Sequence, residues 1–541
     1  MRPHQPRLAL ASVVTAALLL SACGGSGDDV TDPAPGSGDD APRSGGTLRY
    51  ALSSAPVCPD PHQAGQNMAI YIARQVADSL TDQDPETGEI VPWLAESWEA
   101  DATATEFTFQ LRDGVTFSDG TPLTAASVAA NFDAIVGLGA AAPLGNSYLA
   151  GYVETRVTDD RTATVVFEQP NAQFLQATAT HSLALLSDAT LATPAEERCQ
   201  GEVVGSGPFV FDDFVQDQSA TLVRRDGYAW GSAVFGHDGE AYLDGIEFSI
   251  VPESGVRAGG LASDQLDAVS DVLPQDQPAI EGAGGQVLTT ANPGVVFVLH
   301  VNVSRGPLAD PAVRRALLPA IDRQQLVDTV LGANFHPATS ILGHRTPGWT
   351  DLSDRLAFDP DDAAAQLDAA GWTTGGDGIR EKDGQPLSFD VVYGLAFNGS
   401  QAVLELVQQQ LRAVGVDLRL RQTTPAESEA ALSAGDYDTF YYNTTRADPD
   451  ILRTAFSSTT TNRNRFPGPT PLDPILEQQA ATLDAAERDR LVATAQETIL
   501  DEAYAVPLFE LSQAIGVSGK VHDLRFEASA RLQFFDTWLA E

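Results

Sequence analysis

Asp448 and Asp450, one residue apart around Pro449, are spaced as a carboxylate pair that could serve hydrolysis. Arg446, Arg453, Arg463 and Arg465 concentrate cations on the same segment. A guanidinium fork there can hold a carboxylate from a solute, or it can pair with a local Asp. Tyr441 and Tyr442 precede the segment, and strand alternation lets only one of them face a cleft, to stack on a ligand or pack as wall. A chain with 74 acids brings carboxylates together by chance often, so the pair alone does not argue for an enzyme. Other catalytic patterns are missing. No Gly-x-x-x-x-Gly-Lys-[Ser/Thr] loop occurs, and neither Lys382 nor Lys520 sits in one. The eight histidines lack His-x-x-x-His spacing and a neighbouring Cys ligand, so no metal or other cofactor is expected. Gly205-Ser206-Gly207-Pro208 has the wrong spacing for a nucleophile elbow and reads as a structural turn.

A different chemistry stands at the N-terminus. Arg2 and Arg7 precede an apolar run from Leu8 to Leu20, too short to span a ~30 Å hydrocarbon core as a helix. It reads as a signal-peptide h-region, ending in Leu20-Ser21-Ala22-Cys23. That tetrad resembles a bacterial lipobox, which implies cleavage after residue 22 and a diacylglycerol on Cys23; the alternative is an ordinary signal with an incidental Cys. Residues 23–44, built mostly of Gly, Ser, Asp, Pro, Ala and Thr, form a tether with a typical span of ~25 Å. The expected address is the outer face of a cell membrane, held by the lipid alone. Cys58 and Cys199 remain, and outside the cell two leftover cysteines are expected to be bridged, separate buried thiols being the alternative.

The formal charge is −42, from 32 Lys+Arg against 74 Asp+Glu. This balance excludes nucleic acid as a partner and polybasic docking to anionic lipid, since both need surplus cations. A mature chain of about 519 residues implies two or three domains.

The elements that must position these side chains are legible in places. Leu48 and Tyr50 open the first strand after Gly45-Gly46; Phe107, Phe109 and Leu111 alternate as another; Thr124 caps a helix over 125–135. Residues 387–393 alternate as a strand. Ser400 can cap a helix carrying Val403, Leu406, Val407, Leu411 and Val414, Gly415 ends it, and Val416, Leu418 and Leu420 make the next strand. That is a βαβ unit with a parallel crossover. Ligands in such sheets sit beyond the carboxyl ends of the strands, which selects the loop 394–399 with Asn398 and the loop 443–450 that follows the strand 439–442.

Laid out in order, these segments resemble the peptide/nickel (oligopeptide- and dipeptide-binding) family of solute-binding proteins of ABC importers. The resemblance rests on Gly45-Gly46-Thr47-Leu48, Leu94-Ala95-Glu96-Ser97-Trp98, the run from Leu111-Arg112-Asp113-Gly114 to Thr124-Ala125, and Val204 to Phe209. It continues through Tyr242 to Ile246, Asp310-Pro311 to Asp322-Arg323, Gly435-Asp436-Tyr437-Asp438 and Asp448-Pro449-Asp450. It implies an α/β, two-lobed periplasmic-binding-protein-like fold (type II, the large cluster C kind) with an extra subdomain near 73–202. Lobe 1 is expected over 45–291 plus 509–541 and lobe 2 over 292–508. Pro319, where the family's helix continues, is expected to kink that helix.

The resemblance also implies a function: a monomer that captures a peptide or peptide-sized solute by hinge closure and delivers it to a permease and its ATPase. A sensor lipoprotein and an extracellular hydrolase are the rival readings. Ligand contacts are expected at Asn398, Tyr442, Asn443, Thr445, Arg446, Asp448 and Asp450. Peptide-binding relatives meet the ligand's α-amino group with a carboxylate whose place here is taken by Thr445, with the cationic Arg446 beside it. A non-peptide solute is therefore favoured, unless a shifted loop offers Asp448 instead.

Overall fold

The computed structural model describes residues 41–394 and 399–540; Cys23, its tether up to residue 40, and Asn398 lie outside them. Two sheets organise the body. The first has seven strands, in the order Gln286–Ala291, Ser512–Val517, Ala268–Val269, Thr47–Leu52, Gly245–Ile250, Ser219–Arg224 and Phe209–Val215. Leu48, Tyr50 and Leu52 are buried as their alternation requires, with Tyr50 packed on Tyr71, Phe248 and Phe534. A smaller antiparallel sheet (Ala95–Ala100, Glu106–Leu111, Thr162–Phe167, Tyr152–Asp159) packs with the helix Ala125–Leu138 inside the expected inserted region. Ser127 Oγ accepts the Thr124 amide at 3.2 Å at the start of that helix.

The Gly-Ser-Gly-Pro turn has a packing reason. A Cβ on Gly205 would lie 2.1 Å from the Val76 carbonyl oxygen, and one on Gly207 2.5 Å from the Val76 carbonyl carbon. Ser206, buried between them, accepts the Asp78 amide through Oγ at 3.0 Å.

The second sheet runs His336–Pro337, Ala505–Glu510, Gly294–Val301, Thr439–Thr445, Ser388–Tyr393 and Asp417–Gln422. Ser388–Tyr393 pairs in parallel with Asp417–Gln422 and with Thr439–Thr445, so the carboxyl ends of these strands share one edge, as the βαβ reading requires. The helix between them is Ser400–Ala413; Gly399 takes the N-cap position and Ser400 is the first helical residue. Pro319 does more than kink its helix. The helix Pro311–Ala316 has already stopped, and a separate one starts at Arg323, capped by Asp322. Proline lacks an amide to continue the ladder and crowds the carbonyl four residues back, so the chain turns instead.

Each lobe has its own core, and the chain crosses between them twice. The strand ending at Ala291 belongs to the first sheet and the one beginning at Gly294 to the second. The return crossing is at Leu511, because Ala505–Glu510 stays in the second sheet to its end; Phe509 and Glu510 thus pair with second-lobe strands rather than first-lobe ones. A buried chain of hydrogen bonds runs along this hinge. Tyr71 Oη donates to Gln513 Oε1 (3.0 Å), Gln513 Nε2 to Asn292 Oδ1 (2.8 Å), and Asn292 Nδ2 to Thr445 Oγ1 (2.8 Å). Beside it the buried Glu510 accepts from the half-exposed His344, Nδ1 to Oε2 at 2.6 Å.

A disulfide joins Cys58 to Cys199 across 141 residues of chain. Closing so long a loop restricts the unfolded chain. Replacing both cysteines by serine should lower unfolding stability by ~2–5 kcal/mol in oxidising buffer; denaturant titration checks this, and an unchanged midpoint would refute it. At the hinge, the hydrogen bond to Glu510 raises the His344 pKa above its ordinary value. The stability this contributes is fully present below the unfolded-state pKa of about 6.5 and lost as pH rises through the folded one. Glu510→Gln should return the His344 titration downward, read by NMR; an unmoved titration would show that the pair is not coupled.

Candidate functional site

Where the carboxyl edge of the second sheet meets the first lobe, the Arg446 side chain crosses the seam. Arg446 follows the strand Thr439–Thr445 and is only 4% exposed. Its Nη2 donates to Ser147 Oγ at 2.6 Å and its Nη1 to Gln173 Oε1 at 3.3 Å, both first-lobe residues. The guanidinium lies 4.6 Å from the centre of the Tyr148 ring, a cation–π contact. Ser147 and Tyr148 sit on the short helix Pro143–Tyr148. That helix can dock because Gly145 has no side chain: a Cβ there would meet Ile135 Cγ2 at 2.6 Å. Two further contacts close the seam, from the Ala172 amide to the Ala480 carbonyl and from Arg345 Nη2 to the Pro85 carbonyl, both 2.8 Å.

The seam encloses a cavity of about 10 Å³, room for about one water. Tyr148, His181, Ser529 and Arg531 line it from the first lobe, Thr445 and Arg446 from the second. Arg531 is held at the base of the hairpin between Arg525–Phe526 and Leu532–Gln533, whose turn places Ala530 at φ 62°. His181 gives its Nε2 to the Ala64 carbonyl at 3.1 Å. Burial, and then the charge of Arg531, push its pKa down to about 3, so the ring is neutral at physiological pH.

The expected ligand residues divide. Thr445 and Arg446 line the cavity; Tyr442, Asn443, Asp448 and Asp450 do not. Asp448 is held bidentately by Arg488, at 2.6 and 2.8 Å. Asp450 is gripped by Arg453 through two 2.8 Å bonds and also accepts from Gln479. Both carboxylates are thus saturated by internal cations, and neither is free to act on a bond or to meet a ligand amine. Tyr441 stacks on Phe297 in the second-lobe core, with ring centres 4.8 Å apart, and Tyr442 carries Arg463 over its ring at 5.0 Å. Arg465 donates to the carbonyls of Leu432 and Ser433. Of the four arginines in the segment, only Arg446 reaches the seam. Thr445 has a job of its own, as the end of the hinge hydrogen-bond chain. Sequence reasoning missed Ser147, Tyr148, Gln173, His181 and Arg531, which lie in turns and short helices without periodicity; their convergence is a product of the tertiary fold.

Among the described residues no group of three or more His, Cys, Asp or Glu is arranged to hold a metal ion, and no helix is long and apolar enough to cross a membrane.

The model of the bacterial extracellular solute-binding proteins, family 5 Middle, matches residues 89–464. The nickel-binding periplasmic protein of Escherichia coli is 26% identical over 453 residues, spanning 79% of this chain and 82% of its own. The probable D,D-dipeptide-binding periplasmic protein of the same organism is 25% identical over 461 residues, spanning 82% and 84%. Among solved structures, NikA from Brucella suis in complex with Fe(III)-EDTA matches with a TM-score of 0.79 at 23% identity, over 92% of this chain and 100% of its own, a likeness of fold. The two-lobed architecture and the family match together make this chain a member of the family 5 extracellular solute-binding proteins, the binding components of ABC importers.

Proposed function

We propose that this protein is a monomeric, lipid-anchored receptor that takes up a small solute between its lobes and hands it to a membrane permease driven by a separate ATPase. The observation that carries the reading is Arg446, a second-lobe side chain seated among first-lobe groups beside a hinge of only two crossings. Closure requires no covalent chemistry. A solute that contacts both lobes favours the closed state by its differential affinity for it. The lipid on Cys23 and the short tether keep the receptor near its importer. A non-peptide solute is favoured, because Thr445 is engaged with Asn292 and Asp448 with Arg488, leaving neither to meet an α-ammonium group. The hydrolase alternative finds its two acids already neutralised.

Denaturing the purified protein and identifying by mass spectrometry what it releases tests the solute. One non-peptide species, returned unaltered after incubation with fresh protein, is expected; a mixture of peptides would refute the ligand assignment, and turnover would refute the receptor. Cys23→Ala should move the protein from the membrane fraction to the soluble fraction, and deleting the gene should abolish uptake of the identified solute.

A further inference from the structure

The cavity between the lobes is electrostatically incomplete. Among the described residues it is lined by two arginines and no Asp or Glu, in a chain where acids outnumber bases by more than two to one. Arg531 is 9% exposed; among the described residues its Nε is buried without a hydrogen-bond partner and its Nη1 donates only to the Ser529 carbonyl. Among the described residues Arg446 has neutral partners alone: Ser147, Gln173, Thr454 and the face of Tyr148. Three carboxylates near these arginines in sequence are committed elsewhere. Glu527, close to Arg531 in sequence, pairs with Arg74 at 3.0 Å, Asp448 with Arg488 and Asp450 with Arg453. His181 is neutral and adds no cation of its own. Both arginines act on one group, since each lowers the pKa of the Tyr148 hydroxyl against the larger upward push of burial. A guanidinium withdrawn from water without a counter-charge is costly, and an arriving anion removes that cost while making two strong charge-assisted bonds.

We infer that the solute carries an oxyanion, a carboxylate or a phosphoryl group, received between Arg446 of one lobe and Arg531 of the other over the Tyr148 ring. The inference rests on the interlobe seam being the solute site. Because one arginine comes from each lobe, the anion itself joins them, and closure and anion recognition become one event. Its size is set by how far the lobes part, since the closed cavity admits only about one water.

The test uses the mature chain, immobilised, and the low-molecular-mass extract of its own growth medium separated by ion exchange into anionic, neutral and cationic fractions. Species retained from each fraction are identified by mass spectrometry. Retention from the anionic fraction is expected, and the masses tell a carboxylate from a phosphoryl compound. Retention from the neutral or cationic fraction alone would overturn this inference while leaving the receptor reading intact. Retention from none would overturn both. Arg446→Gln and Arg531→Gln should each weaken retention of the anionic species tenfold or more, with Arg446→Lys and Arg531→Lys, which keep the charge, recovering part of it. Folded Gln variants that bind as tightly as the parent would refute the assignment of the two arginines.

Discussion

A buried guanidinium with only neutral partners is the constraint around which this molecule is arranged. Arg446 crosses from one lobe to the other and gives its donors to a serine and an amide oxygen, with the Tyr148 ring beneath it. Hydrogen bonds to neutral acceptors and a cation–π contact offset part of the desolvation of that charge, and they exist only while the lobes are together. Each lobe buries a core of its own, so the seam is the part of the fold most easily opened. The hinge chain from Tyr71 through Gln513 and Asn292 ends at Thr445, next to Arg446. The geometry of the crossings and the position of the key side chain are therefore set by adjacent residues.

The acids around the seam are disposed consistently with this. Asp448, Asp450 and Glu527 each have an arginine of their own, which fixes local structure without cancelling the charge between the lobes. The result is a small cationic place inside a body of formal charge −42. At long range such a body repels an anion, so recognition has to come from close contact with desolvated arginines rather than from steering.

Much of the framework was legible in the sequence because it follows local rules. The Gly45-Gly46 turn marked the entry to the first strand, alternation found those at 106–111 and 388–393, and helical spacing found the crossover helix, with errors of a residue or so at caps such as Gly399. The pairing of Cys58 with Cys199 followed from compartment and number. What failed was anything decided by tertiary contact. The return crossing falls at Leu511, and every residue of Ala505–Glu510 and Ser512–Val517 is buried, so no change in exposure marks the boundary. Pro319 is the exception, a local signal expected to kink the helix that instead goes with its end at Ala316. Asp448 and Asp450 drew notice as free acids because the sequence does not say that Arg488, some forty residues on, closes on the first of them. Arg531 gave no signal at all, being one arginine in a short hairpin, and its meaning comes from the cavity it lines, where no Asp or Glu stands among the described residues.

The claim at the centre of this account is that the seam opens and that a solute closes it through Arg446. Spin labels placed one on each lobe, away from the seam, would report this directly as interlobe distances. Protein stripped of its solute should populate a longer distance, returning the solute should collapse the distribution to the short one, and Arg446→Gln should blunt this collapse. A single distance, indifferent to solute and to the substitution, would contradict it.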